Sequence, residues 1–146
     1  MSAEVRRVRD AEELAAAIEI RRIVFCEEQG VPLHDELDGR DDEALHLVAV
    51  EDDGRVLGTC RLVFRGRTCQ LSRMAIERDA RGRGLGHALL DLADAEAISA
   101  GCTRVALHAQ IHAQSLYDRH GYTPRGPLFV EAGIEHVAME KALEDA

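Results

Sequence analysis

Residues 70–90 read QLSRMAIERDARGRGLGHALL, and the rest of the chain is arranged around this stretch. A short apolar run from Met74 to Ile76 has strand character, three glycines follow a polar turn, and an apolar helical pattern begins after them. The first N–H groups of a helix lack intrahelical partners, and glycines let an anion approach them closely. A strand, a glycine-rich turn and a helix start therefore predict a phosphate or pyrophosphate site.

Two common phosphate-binding motifs do not fit this spacing. In the dinucleotide-binding pattern G-x-G-x-x-G, the third glycine would fall at His87 or at Leu89. The P-loop requires a lysine after its last glycine, and the only lysine of the chain is Lys141. The pattern that remains is R-x-x-G-x-G, which starts at Arg81.

Length and composition bound the possible functions. With 146 residues, the chain has the length of one domain, which we expect to span residues 1–146. No apolar run approaches ~18 residues and the first residues lack a signal-like apolar segment, so we expect a cytoplasmic protein without membrane contacts. A formal net charge of −9 disfavours nucleic acid as a partner and favours cationic ligands. Four widely spaced cysteines predict buried reduced thiols, with no disulfide and no metal site.

The apolar pattern predicts an α/β (α+β) fold. The expected strands are residues 5–9, 45–51, 56–65, 70–76, 104–108, 128–130 and 134–139, and the expected helices are 85–98 and 113–120. Residues 10–29 have helical periodicity and form either one helix or two short helices with a bend. The Asp53-Gly54 hairpin signal makes strands two to four an antiparallel meander, and a helical crossover places the fifth strand parallel to the fourth. Residues 31–43 carry six acids and predict a solvated loop.

The pattern that starts at Arg81 resembles the acetyl-CoA signature of the GNAT family of N-acetyltransferases. A second pattern, A-x-x-L-Y-x-x-x-G-Y at residues 113–122, is similar to a helix signature of the same family. The resemblance covers nearly the whole chain, and residues 28–31 (EQGV) and 73–75 (RMA) are similar to the bacterial branch that includes ElaA and YjcF. It implies the GNAT fold, a mixed and mostly antiparallel central sheet that is flanked by helices and splayed between its fourth and fifth strands.

The resemblance also implies acetyl-CoA as the cofactor and acetyl transfer to an amine as the reaction. In this family, pantetheine hydrogen-bonds along the fourth strand, which here means Met74, Ala75 and Ile76. Pyrophosphate binds the amides of the glycine turn, which here are those of Arg81, Gly82, Arg83, Gly84, Leu85, Gly86 and His87. Gln110 stands where many members have an Asn that contacts the cofactor. Tyr117 matches the general acid of the family, which protonates the CoA sulfur.

The general base and the acceptor leave alternatives open. The candidates for the base are His108 and Glu131, which we favour, together with His136 and Glu36, and we expect no acid to pair with His108. The expected contacts of a small cationic acceptor are the carboxylates of Glu28, Glu36 and Asp38. Peptide N-termini and protein lysines remain possible acceptors, and the chain is expected to be a monomer or a homodimer. A CoA-binding regulatory or adaptor module without turnover is the alternative function.

Overall fold

The computed structural model describes residues 3–143 as a layered arrangement of strands and helices. Its strands are β1 (Ala3–Arg7), β2 (Leu45–Glu51), β3 (Val56–Arg65), β4 (Thr68–Ile76), β5 (Arg104–Gln110), β6 (Thr123–Pro124), β7 (Phe129–Glu131) and β8 (Ile134–Ala142). Its helices are α1 (Ala11–Arg21), which continues as a π-helical segment (Arg22–Glu28), α2 (Leu33–Glu36), α3 (Leu85–Ser99) and α4 (Gln114–Arg119). No helix among these residues is long and apolar enough to cross a membrane.

The strands form one mixed sheet in the order β1-β2-β3-β4-β5-β8-β6, with β7 paired to β8. Only β4 and β5 are parallel among the pairs of this described sheet. The predicted fold class and the predicted bounds of β2 and β3 are therefore confirmed. Sequence reasoning missed β6, and it ended β5 and β8 too early. Of the two alternatives for residues 10–29, the structure has one continuous helical run, which changes from α to π geometry at Arg22.

Helices α1 and α3 cover opposite faces of the sheet. Side chains alternate between the two faces of a strand, so Leu47 of β2 shares a core with α3 whereas Val48 shares one with α1. Buried residues recur along α3 at helical spacing, at Leu85, Leu89, Ala93 and Ala97. Burying a leucine side chain contributes about 1.5–3 kcal/mol. This packing places the start of α3 beside the end of β4.

A β-bulge in β4 separates this strand from β5. Thr59 of β3 pairs with Ala75, but Arg61 pairs with Ser72, so β4 contains one residue more than its partner over this interval. Arg73 lies at the bulge with a φ of 58°. Residues 68–70 of β4 pair with residues 104–106 of β5, and beyond these residues the two strands diverge. The predicted splay between the fourth and fifth strands is thus confirmed.

A partly buried group of ion pairs, which we call the arginine cluster, joins α1, β3 and the bulge of β4 to residues 31–43. Its members are Arg21, Arg61, Arg73, Glu36, Asp38 and Asp41. Arg21 Nε donates to Glu36 Oε1 at 2.5 Å, and Arg61 Nη1 donates to Asp38 Oδ1 at 2.8 Å and to Asp41 Oδ1 at 2.9 Å. Arg73 Nη2 donates to the carbonyl of Glu36 at 3.0 Å.

The arginine cluster corrects the prediction of a solvated loop at Glu36 and Asp41, whereas most other residues of 31–43 are exposed. Glu36 lies on α2 and is only 2% exposed. The Arg61 guanidinium holds the pKa of the Asp38 carboxyl well below its usual range. Because burying an unpaired charge is costly, the buried guanidiniums of Arg21 and Arg61 require these carboxylates as partners.

Removing the Arg61 side chain should strongly destabilise the fold, because Asp38 and Asp41 would lose their shared partner. We expect Arg61→Met to lower the free energy of unfolding by about 3–5 kcal/mol in urea titrations. Arg65→Met is the matched control on the same strand, since the Arg65 side chain is 45% exposed and pairs loosely with Glu43 at 3.5 Å. That variant should change stability by no more than about 0.5 kcal/mol. Equal losses in the two variants would contradict the role given to Arg61.

Candidate active site

The divergence of β4 from β5 opens a cleft of about 1120 Å³. Many of the predicted site residues line it, namely Glu28, Glu36, Asp38, Met74, Ala75, Ile76, Arg81, His108, Gln110, Tyr117 and Glu131. The remaining predicted residues, Gly82, Arg83, Gly84, Leu85, Gly86 and His87, form the turn and the first residues of α3. The structure therefore brings residues from both family signatures to one region.

The glycine turn has the backbone geometry that an anion site needs. Gly82 and Gly84 have φ values of +82° and +79°, and a Cβ at either position would meet nothing within 4 Å. The first helical hydrogen bond runs from the Ala88 N–H to the Gly84 carbonyl at 3.1 Å. The N–H groups of Leu85 and His87, and that of the residue between them, therefore have no carbonyl of a preceding turn to bond. They are available to an anion in the open space beside the glycines.

The two arginines of the turn attach it to neighbouring elements. Arg81 Nε donates to the carbonyl of Ile76 at 2.9 Å, and its Nη2 donates to Glu28 Oε1 at 2.8 Å. Arg83 Nη2 pairs with Glu51 Oε2 at 3.1 Å. The carboxylate of Glu28, which we expected to contact an acceptor, is thus occupied by Arg81 and links the end of the π-helical segment to the glycine turn.

A direct contact joins the two family signatures. A Cβ added at Gly86 would lie 3.3 Å from Cδ2 of Leu116 on α4, so the start of α3 packs closely against that helix. The next residue of α4, Tyr117, is 6% exposed and lines the cleft. Its ring packs edge-on against Tyr122, with centroids 5.8 Å apart. Burial raises the pKa of Tyr117, so its phenol carries its proton at neutral pH.

A pair of amides connects the two walls of the cleft. Gln110 Nε2 at the end of β5 donates to Gln29 Oε1, just after the π-helical segment, at 2.8 Å. Sequence reasoning did not identify Gln29 as a site residue, although it lies within the EQGV stretch at residues 28–31. The predicted contact of Gln110 with the cofactor stays a prediction.

A histidine–carboxylate pair lies on the β5 side of the cleft. His108 Nδ1 and Glu131 Oε1 are 3.0 Å apart, which corrects the expectation that no acid pairs with His108. The second oxygen of Glu131 lies 3.8 Å from His136 Nε2. His136 Nδ1 bonds to the Ile134 carbonyl at 2.7 Å, so that nitrogen must carry a hydrogen. Two of the predicted base candidates, His108 and Glu131, are therefore brought together by the fold.

A tight turn places Glu131 in this pair. Glu131 of β7 and Ile134 of β8 are directly opposite, and the two residues between them, Ala132 and Gly133, have φ values of +53° and +78°. Positive φ at both central positions is the geometry of the two-residue hairpin turn whose twist matches that of the strands. The strands at 128–130 and 134–139 were predicted from the sequence, but the proximity of their connecting turn to β5 was not.

The charges that line the cleft are balanced. They comprise six arginines (Arg40, Arg61, Arg73, Arg78, Arg81 and Arg125) and six carboxylates (Glu28, Asp35, Glu36, Asp38, Glu131 and Glu140). Glu36 is enclosed by Arg21 and Arg73, and we correct its expected role as an acceptor contact. No group of three or more His, Cys, Asp or Glu side chains in residues 3–143 is arranged to hold a metal ion.

Comparisons with known proteins agree with this geometry. A family model described as an acetyltransferase (GNAT) domain matches residues 11–143. YjcF of Bacillus subtilis (strain 168), named an uncharacterized N-acetyltransferase, is 31% identical over 134 residues, which are 91% of this chain and 95% of YjcF. An acyl-CoA N-acyltransferase structure from Pseudomonas aeruginosa is 32% identical, with a TM-score of 0.84 over 97% of this chain and 100% of that one. Escherichia coli ElaA has the same fold, with a TM-score of 0.83 at 23% identity over 95% and 99% of the chains.

The anion site predicts a position-specific effect of a charged substitution. Gly84→Glu places a carboxylate beside the free amides of α3, so we expect loss of coenzyme A binding in calorimetry. Gly101→Glu is the matched control, because Gly101 has nearly the same φ (+83°) and equally open surroundings but lies beyond the other end of α3. It should lose a similar amount of stability and keep its affinity. Equal affinities in the two variants would contradict the assignment.

Proposed function

The chain belongs to the GNAT family of acetyltransferases, and we propose that it transfers the acetyl group of acetyl-CoA to a primary amine in the cleft between β4 and β5. It is an N-acetyltransferase. The observation that carries the mechanism is that Tyr117 and the His108–Glu131 pair line the same cleft beside the diverging part of β4. A panel of amines with acetyl-CoA, followed by release of free thiol, tests the proposal.

The residues of the glycine turn fit the cofactor, which supplies an activated acetyl thioester. We assign the pyrophosphate to the amides at residues 82–87, because the first N–H groups of α3 lack intrahelical partners and Gly84 leaves the approach open. The N–H of Arg81, which was also predicted, donates to the Arg78 carbonyl at 3.4 Å. We assign the pantetheine arm to Met74, Ala75 and Ile76, since β4 has separated from β5 at these residues. Gln110 at the opposite wall is the proposed side-chain contact.

Tyr117 is the proposed general acid. When the amine nitrogen bonds to the acetyl carbon, the carbon–sulfur bond breaks and the leaving thiolate requires a proton. The Tyr117 phenol carries its proton at neutral pH, which is the form that a general acid needs. Burial raises the pKa of this phenol, which holds the proton more firmly. Its place in the lining of the cleft supports this role.

His108 and Glu131 are the proposed base. An alkyl ammonium with a pKa near 10.4 must lose a proton before its nitrogen can attack, directly or through a water molecule. If His108 Nδ1–H donates to Glu131 Oε1, the lone pair of His108 Nε2 is left to accept that proton. Glu131 would then stabilise the imidazolium that forms. His136 and Glu36 are less suitable, because both are buried and held by partners within the fold.

The proposed acceptor is a small cationic amine. Glu131 supports this choice because its side chain is 49% exposed at the cleft, whereas Glu28 and Asp38 are bound to arginines. The balanced charges of the lining imply little long-range attraction, so recognition should depend on contact with Glu131. The amine panel should therefore include a diamine and a neutral amine of equal length, and a preference for the neutral amine would reject this acceptor class.

Loss of the Tyr117 hydroxyl should slow the chemical step and leave binding intact. We expect Tyr117→Phe to lower kcat by roughly 10²–10⁴-fold with nearly unchanged acetyl-CoA affinity. Tyr122→Phe is the matched control, since the buried Tyr122 hydroxyl has no hydrogen-bond partner in the described structure and its ring packs against Tyr117. Wild-type kcat in Tyr117→Phe would show that this residue only packs.

The effect on kcat of removing the proposed base should depend on the pKa of the acceptor amine. We expect His108→Gln to lower kcat by about 10²-fold for an alkyl amine, and the loss should shrink for amines of lower pKa that arrive unprotonated. His112→Gln is the control, because His112 lines the same cleft without a carboxylate partner among the described hydrogen bonds. A loss that is the same for all amines would indicate that His108 has no role as a base.

A further inference from the structure

Two imidazole rings meet at the start of α3, outside the cleft. His87 of α3 and His120, which follows α4, have their Nδ1 atoms 3.2 Å apart, and their rings are stacked with centroids 5.4 Å apart. Two ring nitrogens at this distance form a hydrogen bond only when one of them carries a hydrogen and the other does not. The proton positions of the two rings are therefore coupled.

The surroundings of His120 decide which ring is the donor. Its Nε2 lies 3.2 Å from Asp91 Oδ1 and 3.7 Å from Asp94 Oδ2, and these two carboxylates favour the tautomer that carries a hydrogen on this nitrogen. Burial, together with nearby Lys141, lowers the pKa of His120 and favours the neutral ring. Its Nδ1 then has a lone pair that accepts from His87 Nδ1–H. The Nε2 atom of His87 is left to take up a further proton while the hydrogen bond between the rings persists.

The charges around the pair favour a cation. Asp91 and Asp94 face His120 from α3, Lys141 of β8 pairs with Asp94 at 2.5 Å, and the Tyr122 ring lies 6.5 Å from His120 between centroids. Two carboxylates against one ammonium leave one negative charge beside the rings. Asp94 Oδ1 is buried without a hydrogen-bond partner in residues 3–143, so this charge is not fully compensated.

His87 also belongs to the proposed pyrophosphate site. Its backbone N–H is among those that precede the first hydrogen bond of α3. An anion on that amide would therefore lie within the length of one side chain of the imidazole. Opposite charges at this separation stabilise one another, whereas the helix N-terminus alone disfavours a cation.

We propose that His87 takes up a proton from solvent when acetyl-CoA binds, and that His120 positions the His87 ring to receive it. The proposal rests on the proposed function, because it requires the cofactor pyrophosphate at the glycine turn. The imidazolium of His87 would compensate one charge of the pyrophosphate, and Asp91 would hold His120 in the tautomer that accepts from His87. Affinity for acetyl-CoA should then fall as pH rises from about 6 to 8.

Calorimetry in two buffers of different ionisation enthalpy at pH 7 measures the number of protons taken up on binding. We expect wild type to exceed His87→Gln by about half a proton to one proton, with several-fold weaker binding in the variant. Because the phosphates of acetyl-CoA titrate in the same range, the difference between the two proteins is the relevant quantity. His34→Gln is the control, since the side chain of His34 is 83% exposed on α2, and it should match wild type.

A second variant distinguishes the effect of losing the His87 charge from the effect of disturbing the structure around His87. His87→Lys carries a fixed positive charge, so it should bind acetyl-CoA without the additional proton and with affinity that no longer falls between pH 6 and 8. Equal proton uptake in wild type and His87→Gln would overturn the inference while leaving the acetyltransferase proposal intact. Failure of wild type to bind acetyl-CoA at any pH would instead overturn the proposed function.

Discussion

The extra residue in β4 is the constraint on which the cleft depends. The bulge at Arg73 bends β4 just beyond residues 68–70, where its pairing with β5 ends and the cleft opens. A left-handed backbone at a residue other than glycine costs about 1–3 kcal/mol. The Arg73 side chain helps to offset this cost, because it donates to the carbonyls of Asp35 and Glu36. Residues 31–43 therefore stabilise the opening of the sheet as well as one wall of the cleft.

The opposite wall depends on a second left-handed residue. Ala132 has a φ of 53° in the turn that sets Glu131 beside His108. Glycine or asparagine would adopt this conformation at less cost. The backbone of Ala132 is therefore strained, and the pairing of β7 with β8 holds it in this conformation. Strained backbone thus occurs on both walls, at Arg73 and Ala132, where the proposed cofactor strand and the proposed base are positioned. Such strain is common where a site must be held in one geometry.

Local features could be predicted from the sequence because their signals lie in neighbouring residues. The glycine turn, the Asp53-Gly54 hairpin and the apolar stripe of α3 belong to this class. The His108–Glu131 pair joins residues 23 positions apart, and the contact between Arg73 and Glu36 joins residues 37 positions apart. No periodicity or turn rule connects such positions. The π geometry of residues 22–28 was equally inaccessible, because the sequence there has ordinary helical periodicity.

The acidic residues of the 31–43 segment show why composition alone misleads about electrostatics. The same carboxylates would attract a cationic ligand if they were solvated, but Glu36 and Asp38 face buried guanidiniums of Arg21 and Arg61. These carboxylates neutralise the buried arginines and are therefore not free to attract a cation. As a result, little of the net charge of −9 contributes to the electrostatic potential in the cleft. An exposed carboxylate such as Glu131 then has more influence on an incoming amine than Glu36 or Asp38. Because Glu131 also holds His108, the group that attracts the ammonium is coupled to the base that would remove its proton.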